Sequence, residues 1–342
     1  MTRLTRWLAT GMLLAAVVGL TQPMPAGGAD LGEASSRVAA GPSLQGLRIT
    51  LTTPSTGLHE MPLVVGIRRG FYTAEGLDPT RVQMAPPVSV AAVISGDADY
   101  TLSVGSTITA IVGADASLKV VAGLAVLPLQ VLVTNDPNVR SVADLRGRSV
   151  GTSATSDTTA NLMRLAARAS GLEVQTDVAL QPLGESPNRL AALQSGQVSA
   201  VMLDRALAQE AQLGGGRILV APSELPPLPT SGLAVTEARL REQPSQVEAV
   251  VRASVRAVRY MQQNRDDTLA LMMEHMGLSR QAAELTYDLG LGAFAADGLI
   301  ADQGLELLIA AARDTTGRPA APTPDQVADF TIARRVAAQL GP

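Results

Sequence analysis

Leu47, Ile49 and Leu51 alternate with Arg48, Thr50 and Thr52, the period-two pattern of a half-buried strand. The period then changes. After a loop at 53–60, Pro62 stands where proline suits a first helical turn, and Leu63, Ile67 and Phe71 carry an apolar stripe towards the Glu75-Gly76 turn. The same exchange of periods continues. It predicts strands at 82–84, 100–104, 118–124, 131–134, 178–180, 200–203, 218–220 and 232–235, separated by helices at 89–94, 106–112, 141–145, 158–170, 188–194 and 205–212. Beyond Val235 the pattern is helical, with Val247, Val250, Val251, Val255, Val258 and Met261 on one stripe. Strands alternating with helices imply an α/β fold built on mostly parallel sheets.

Two stretches repeat. Residues 189–204 (RLAALQSGQVSAVMLD) echo residues 88–105 (VSVAAVISGDADYTLSVG), with Ala91, Ala92, Ser95 and Gly96 falling on Ala191, Ala192, Ser195 and Gly196, and Ser103 near Asp204. Each copy reads as an apolar helical turn, a glycine just past its end and a strand. Residues 47–56 and 148–157 echo each other as a strand run closing on a hydroxyl-rich loop. Helix-Gly-strand punctuation is common in α/β chains, but two echoes in one order suggest two similar lobes with a cleft between them.

Composition changes this picture in three ways. The 342 residues are 46% apolar, enough for two domains with large cores. A net charge of −4 without a basic stripe or aromatic cluster argues against nucleic acid as a partner. The absence of cysteine removes thiolate nucleophiles, zinc knuckles and iron-sulfur clusters, and Lys119 is the only lysine. At the N-terminus, Arg3 and Arg6 precede an apolar run at 7–20 and the small residues Ala26 to Ala29, the form of a signal peptide at 1–29 cleaved near Ala29. Residues 30–46 then form a flexible leader.

Catalytic side chains are few. His275 sits at a helix end before Gly277, an ordinary place for an imidazole, and Asp97 and Asp99 flank a turn as solvated residues. His59-Glu60 opens like a zincin motif, but Leu63 stands where the second histidine belongs, so His59 can line a pocket and does not bind zinc alone. Gly214, Gly215 and Gly216 leave a helix and enter a strand, the reverse of a phosphate loop, and read as a turn. What remains is hydroxyls at strand-to-helix junctions: Ser103, Gly105, Ser106 and Thr107 in one lobe, Ser153, Thr155, Ser156 and Thr158 in the other. One such residue caps a helix; several suit a cradle in which free amides and hydroxyls hold an anion or polar group.

Four motifs in order extend this reading. Residues 62–77 (PLVVGIRRGFYTAEGL), 95–99 (SGDAD), 144–151 (DLRGRSVG) and 189–196 (RLAALQSG) resemble those of the periplasmic substrate-binding proteins of ABC importers for nitrate, taurine and aliphatic sulfonates, a group that includes binders of thiamine-pyrimidine precursors. The resemblance spans nearly the whole chain after the leader. It implies a two-lobed type II binding-protein fold, with lobe one at 47–129 and 236–342, lobe two at 130–235, and hinge strands near 131–134 and 232–235. It implies a ligand pocket lined by Ser55, Thr56, His59 and Met61, by Ser103, Gly105 and Ser106, by Ser153, Thr155, Ser156 and Thr158, and by Leu203 and Asp204. The implied protein is a periplasmic monomer without cofactor or catalysis that closes on a small molecule and delivers it to an ABC permease. The pocket loops supply no lysine or arginine, and Asp204 favours an amine or N–H donor; a sulfonate, an amine-containing solute or a heterocycle are the ligands expected. A ligand-sensing exported domain, or an enzyme on the same scaffold related to thiamine-pyrimidine synthesis, is the alternative, although the enzyme relatives depend on a lysine and a cysteine-rich motif that this sequence lacks.

Overall fold

In the computed structural model, residues 44–341 are described apart from 156, 222–223 and 320–321. The signal peptide read at 1–29 and the leader up to residue 43 lie outside the described residues.

The alternation at Leu47 to Leu51 forms β1 (Leu47–Thr53), which buries Ile49 and Leu51. It pairs in parallel with β2 (Leu77–Gln83) and with β3 (Tyr100–Thr101). β2 begins at Leu77, earlier than the apolar run at 82–84 suggests, and includes Pro79. As an edge strand it forms despite the missing N–H. β4 (Leu118–Ala125) and β5 (Gln130–Thr134) follow one another in sequence but lie in different sheets. Next come β6 (Arg148–Thr152), β7 (Val178–Pro182), β8 (Ala200–Asp204), β9 (Arg217–Val220) and β10 (Ser231–Thr236).

The strands form two mixed five-stranded sheets with one plan, β2-β1-β3-β10-β4 and β7-β6-β8-β5-β9. In the first, β10 runs antiparallel to both neighbours; in the second, β5 does. The other two pairings in each sheet are parallel, so four of the five strands of each sheet run one way and one is reversed. The chain passes between the sheets after β4 and returns between β9 and β10, and each passage delivers the one reversed strand. This is the two-lobed α/β architecture expected from the sequence, with the echo visible as a repeated strand order.

Glycine ends the echoed helices. Pro86–Ser95 stops at Gly96, with φ of 86°, and Ser186–Gln194 is followed by Gly196 at 74°, the left-handed backbone that glycine adopts without strain. β3 is shorter than expected, and the next helix, Val104–Ala114, starts two residues before 106. Ser103 is therefore its N-cap, while Gly105 and Ser106 occupy its first turn.

The valine stripe lies on Pro244–Gln263, where Val247, Val250, Val251, Val255, Val258 and Met261 are fully buried. That helix packs on β4 and on Met61–Arg68, and Asp302–Thr316 packs on Val104–Ala114, so these C-terminal helices return to the first lobe. Arg280–Gly290 instead touches Arg205–Leu213 of the second lobe. Asp99 departs from its expected role as a solvated turn residue. It accepts the Thr50 amide at 2.6 Å and pairs with Arg239, tying β1 to the helix after β10, whereas Asp97 is exposed and bonded to the Ser95 hydroxyl.

Candidate functional site

Between the lobes lies a cavity lined by residues at strand ends. Pro54 and Ser55 follow β1, Ser103 follows β3, Ser153 follows β6 and Asp204 ends β8; Gln130 begins β5, and Thr230 precedes β10. Ligands in open α/β sheets settle outside such carboxyl ends because the loops there are free to carry polar groups. As the lobes stand, the free volume is about 40 Å³. One water needs roughly 10–15 Å³ on that measure, so the space suits a compact polar group.

Three helices start at the cavity: Val104–Ala114 at Gly105 and Ser106, Thr158–Ala169 at Thr158 and Thr159, and Arg205–Leu213 at its N-cap Asp204. Their N-terminal ends add partial positive charge, a field that favours anions. Ser103 caps the first of these helices without a side-chain hydrogen bond to it. Consequently the Gly105 and Ser106 amides have no acceptor among the described residues.

Four side-chain atoms decide the character of the site. His59 Nε2, Ser103 Oγ, Ser106 Oγ and Gln130 Oε1 all belong to buried cavity-lining residues, and none has a hydrogen-bond partner among the described residues. An unmet buried polar group costs about 1–3 kcal/mol. Concentrating four of them in one cavity makes sense if a bound group meets them. Three can donate to an anion, and Gln130 Oε1 can accept from an N–H.

The two carboxylates are held by the chain itself. Asp157 caps Thr158–Ala169 through the Ala160 amide at 3.1 Å and accepts the Thr159 hydroxyl at 2.8 Å and the Ser153 hydroxyl, which makes it a structural cap. Asp204 accepts the Ser186 hydroxyl at 2.6 Å and the Gln130 amide at 3.3 Å. Behind Ser186 stands Arg189, which is buried and donates to Ser186 Oγ at 2.6 Å, to the Met202 carbonyl at 2.6 Å and to the Gly184 carbonyl. Burial pulls the Arg189 guanidinium below its ordinary pKa, against the opposing pull of Asp204, Asp157 and Glu185. Sequence reasoning missed this cation by searching the loops. Arg189 begins the RLAALQSG motif, one helical turn inside Ser186–Gln194, and only the tertiary fold turns it to the cavity.

Of the residues expected at the pocket, Ser55, His59, Ser103, Gly105, Ser106, Ser153, Thr158 and Asp204 line this cavity. Four do not. Met61 and Leu203 are fully buried in the apolar cores of the first and second lobes. Thr56 bonds Gln83 at 3.3 Å away from the cavity, and Thr155 is exposed, its carbonyl accepting Arg164 at 2.7 Å. Ser156 lies outside the described residues. Next to His59, the fully buried Glu60 accepts from Arg81 at 2.7 Å and bonds His275 Nε2 at 2.7 Å, which gives His275 a role in fixing the loop that carries His59. Among the described residues, no group of three or more His, Asp or Glu side chains is placed to hold a metal ion.

A family model described as NMT1/THI5 like matches residues 59–268, more than half of the chain and including most of this cavity. The chain belongs to the NMT1/THI5-like family. No match was found among curated proteins. A solved structure from Bordetella bronchiseptica RB50 is similar over 86% of this chain and 98% of its own, at 20% identity and a TM-score of 0.74. The alkanesulfonate-binding protein SsuA of Xanthomonas axonopodis pv. citri, solved with MOPS bound, is similar over 83% of this chain and 99% of its own, at 18% identity and a TM-score of 0.69. The desulfurization enzyme DszB is similar over 86% and 100%, at 19% identity and a TM-score of 0.62. At these identities the likeness is one of fold: the NMT1/THI5-like chain has the two-lobed architecture of periplasmic binding proteins, a scaffold that also carries an enzyme.

Proposed function

We propose that this NMT1/THI5-like protein is the extracytoplasmic solute-binding component of an ABC importer, capturing one small organic solute between its lobes. The observation that carries the reading is that four unpartnered polar atoms, His59 Nε2, Ser103 Oγ, Ser106 Oγ and Gln130 Oε1, belong to residues lining one inter-lobe cavity. A ligand that meets them gains their hydrogen bonds without displacing any internal partner. Helix N-termini favour an anionic head, with the buried Arg189 offsetting Asp204 through Ser186, while Gln130 Oε1 favours an N–H on the same molecule. A compact sulfonate, with or without an amine, fits that polarity best; the fold it shares with a sulfonate-binding protein supports the same class.

On this reading residues 1–29 direct export and are removed near Ala29. Because β10 (Ser231–Thr236) sits in the first sheet, one lobe comprises 47–129 with the chain from β10 onward and the other the segment carrying β5 to β9, and the mature monomer meets a permease at the membrane. The likeness to DszB raises catalysis as the second reading. Against it, the chain has no cysteine, and its single lysine, Lys119, bonds the Asp325 and Gln326 carbonyls on the surface of the first lobe. The test is a thermal-shift screen of sulfonates, amino acids, pyrimidines and carboxylates, followed by calorimetry on hits. A flat response across all four classes sinks the solute-binding reading, and product formation from a bound sulfonate or sulfinate moves it to the enzyme.

A further inference from the structure

Contacts across the cleft mark where the lobes stop and what holds them there. Gly105, in the first turn of Val104–Ala114, faces Thr158 and Asn161 of the second lobe: a Cβ built on it would lie 3.1 Å from Thr158 Oγ1, 3.4 Å from the Thr158 amide and 3.7 Å from Asn161 Nδ2. The backbone at Gly105 is ordinary helix, so only space limits a side chain there: a methyl would need Thr158 Oγ1 to give by a few tenths of an ångström, and a branched side chain would need more. Asn161 Nδ2 is buried without a partner among the described residues, so this seam has one more polar atom to satisfy as it tightens. Beside the cavity, Gln83 at the end of β2 donates to Glu185, the N-cap of Ser186–Gln194. These two residues also line an adjoining pocket that shares Pro54, Ser55, Pro86 and Ser153 with the cavity, so their bond joins the two lobes next to it.

We propose that Gly105 is the positioning residue that sets how far the cleft closes, and that the Gln83–Glu185 hydrogen bond is the latch that holds it closed. The inference deepens the solute-binding reading and rests on it for the purpose of closure, but its geometry is testable without any ligand. A branched side chain at Gly105 meets Thr158 before the lobes reach the separation described here, so the cavity-lining residues of the two lobes stay further apart. The latch acts on dissociation, because Gln83 and Glu185 come together only when the lobes do.

The absence of cysteine permits a clean distance measurement. Ala91→Cys and Ala191→Cys, exposed positions on the echoed helices of the two lobes, carry spin labels whose separation is read by pulsed electron resonance, with and without taurine as the probe. The labelled parent is expected to populate a short separation. Gly105→Val shifts the distribution to longer distances under both conditions, with circular dichroism unchanged. Glu185→Ala, an exposed substitution that does not threaten folding, retains the short separation as a minor population and speeds probe release roughly tenfold, the loss expected for one hydrogen bond to a charged group. Identical distributions in parent and Gly105→Val overturn the stop, and an unchanged distribution in Glu185→Ala overturns the latch. If taurine binds none of the chains while Gly105→Val still lengthens the separation, closure stands and the ligand assignment fails.

Discussion

Arg189 and Ser106 line one cavity and carry opposite energetic consequences. The Arg189 guanidinium is buried and spent on Ser186 and two carbonyls, and through Ser186 it offsets Asp204. Removing one member of such a buried set leaves the rest uncompensated. Arg189→Met should therefore lower stability by about 3–5 kcal/mol, read from urea unfolding; a loss below about 1 kcal/mol would show that water replaces the guanidinium. Ser106 Oγ has no partner to lose among the described residues. Ser106→Ala should leave the melting temperature unchanged or raise it, while weakening ligand binding about tenfold, as the loss of one hydrogen bond predicts. A fall in melting temperature equal to that of an ordinary core truncation would mean that the hydroxyl is structural. The hydroxyl set was legible in the sequence because serine and threonine crowd the strand-to-helix junctions. Arg189 was not, because nothing in RLAALQSG tells which face of the helix meets a cavity.

At the level of elements, the glycine that closes each echoed helix was readable and its cost can be stated. Gly96 has φ of 86° with open space where a Cβ would stand. Gly96→Ala should cost about 1–2 kcal/mol from backbone strain alone, and Gly96→Asn less, because asparagine tolerates that conformation; equal losses in denaturant midpoint would contradict a conformational origin. Helix stripes transferred well from sequence to structure: the valines of Pro244–Gln263 are all buried. Strand limits transferred less well. β2 begins at Leu77 and passes through Pro79, which a pattern of apolar alternation rejects and an edge position permits. β3 stops at Thr101 because the chain turns at Ser103 into a helix, and that early turn brings Gly105 and Ser106 to the cavity.

For the whole molecule, pH dependence follows from carboxylates tied to backbone amides at turns and caps. The Asn138 amide holds Asp136 below the usual carboxylate range, and the Arg140 amide together with Ser141 does the same for Asp144. At Asp329, burial raises the pKa but the Thr331 hydroxyl and amide outweigh it, so that group is lowered too. Groups depressed in the folded state bind fewer protons there than in the unfolded chain. Their contribution is fully present above the unfolded pKa of about 4 and is lost as pH falls through the folded values. Urea midpoints should accordingly be flat from neutrality to about pH 5 and fall below pH 4; midpoints that rise on acidification would reverse the sign.

The sequence by itself determined the alternation of strands and helices, the repeat and the hydroxyl-rich loops, because each depends on neighbours within a few turns of chain. It also carried the four motifs at 62–77, 95–99, 144–151 and 189–196, all within the span that the NMT1/THI5-like family model matches. Tertiary structure decided which strand enters which sheet, sending β5 and β10 across to the opposite lobe, since that choice depends on long-range pairing that local pattern does not encode. It also decided that Met61 and Leu203 serve the cores while Arg189, Gln130 and Thr230 meet the cavity. A pocket between two sheets is formed by residues far apart in sequence, and their side chains acquire a common direction only when both lobes are packed.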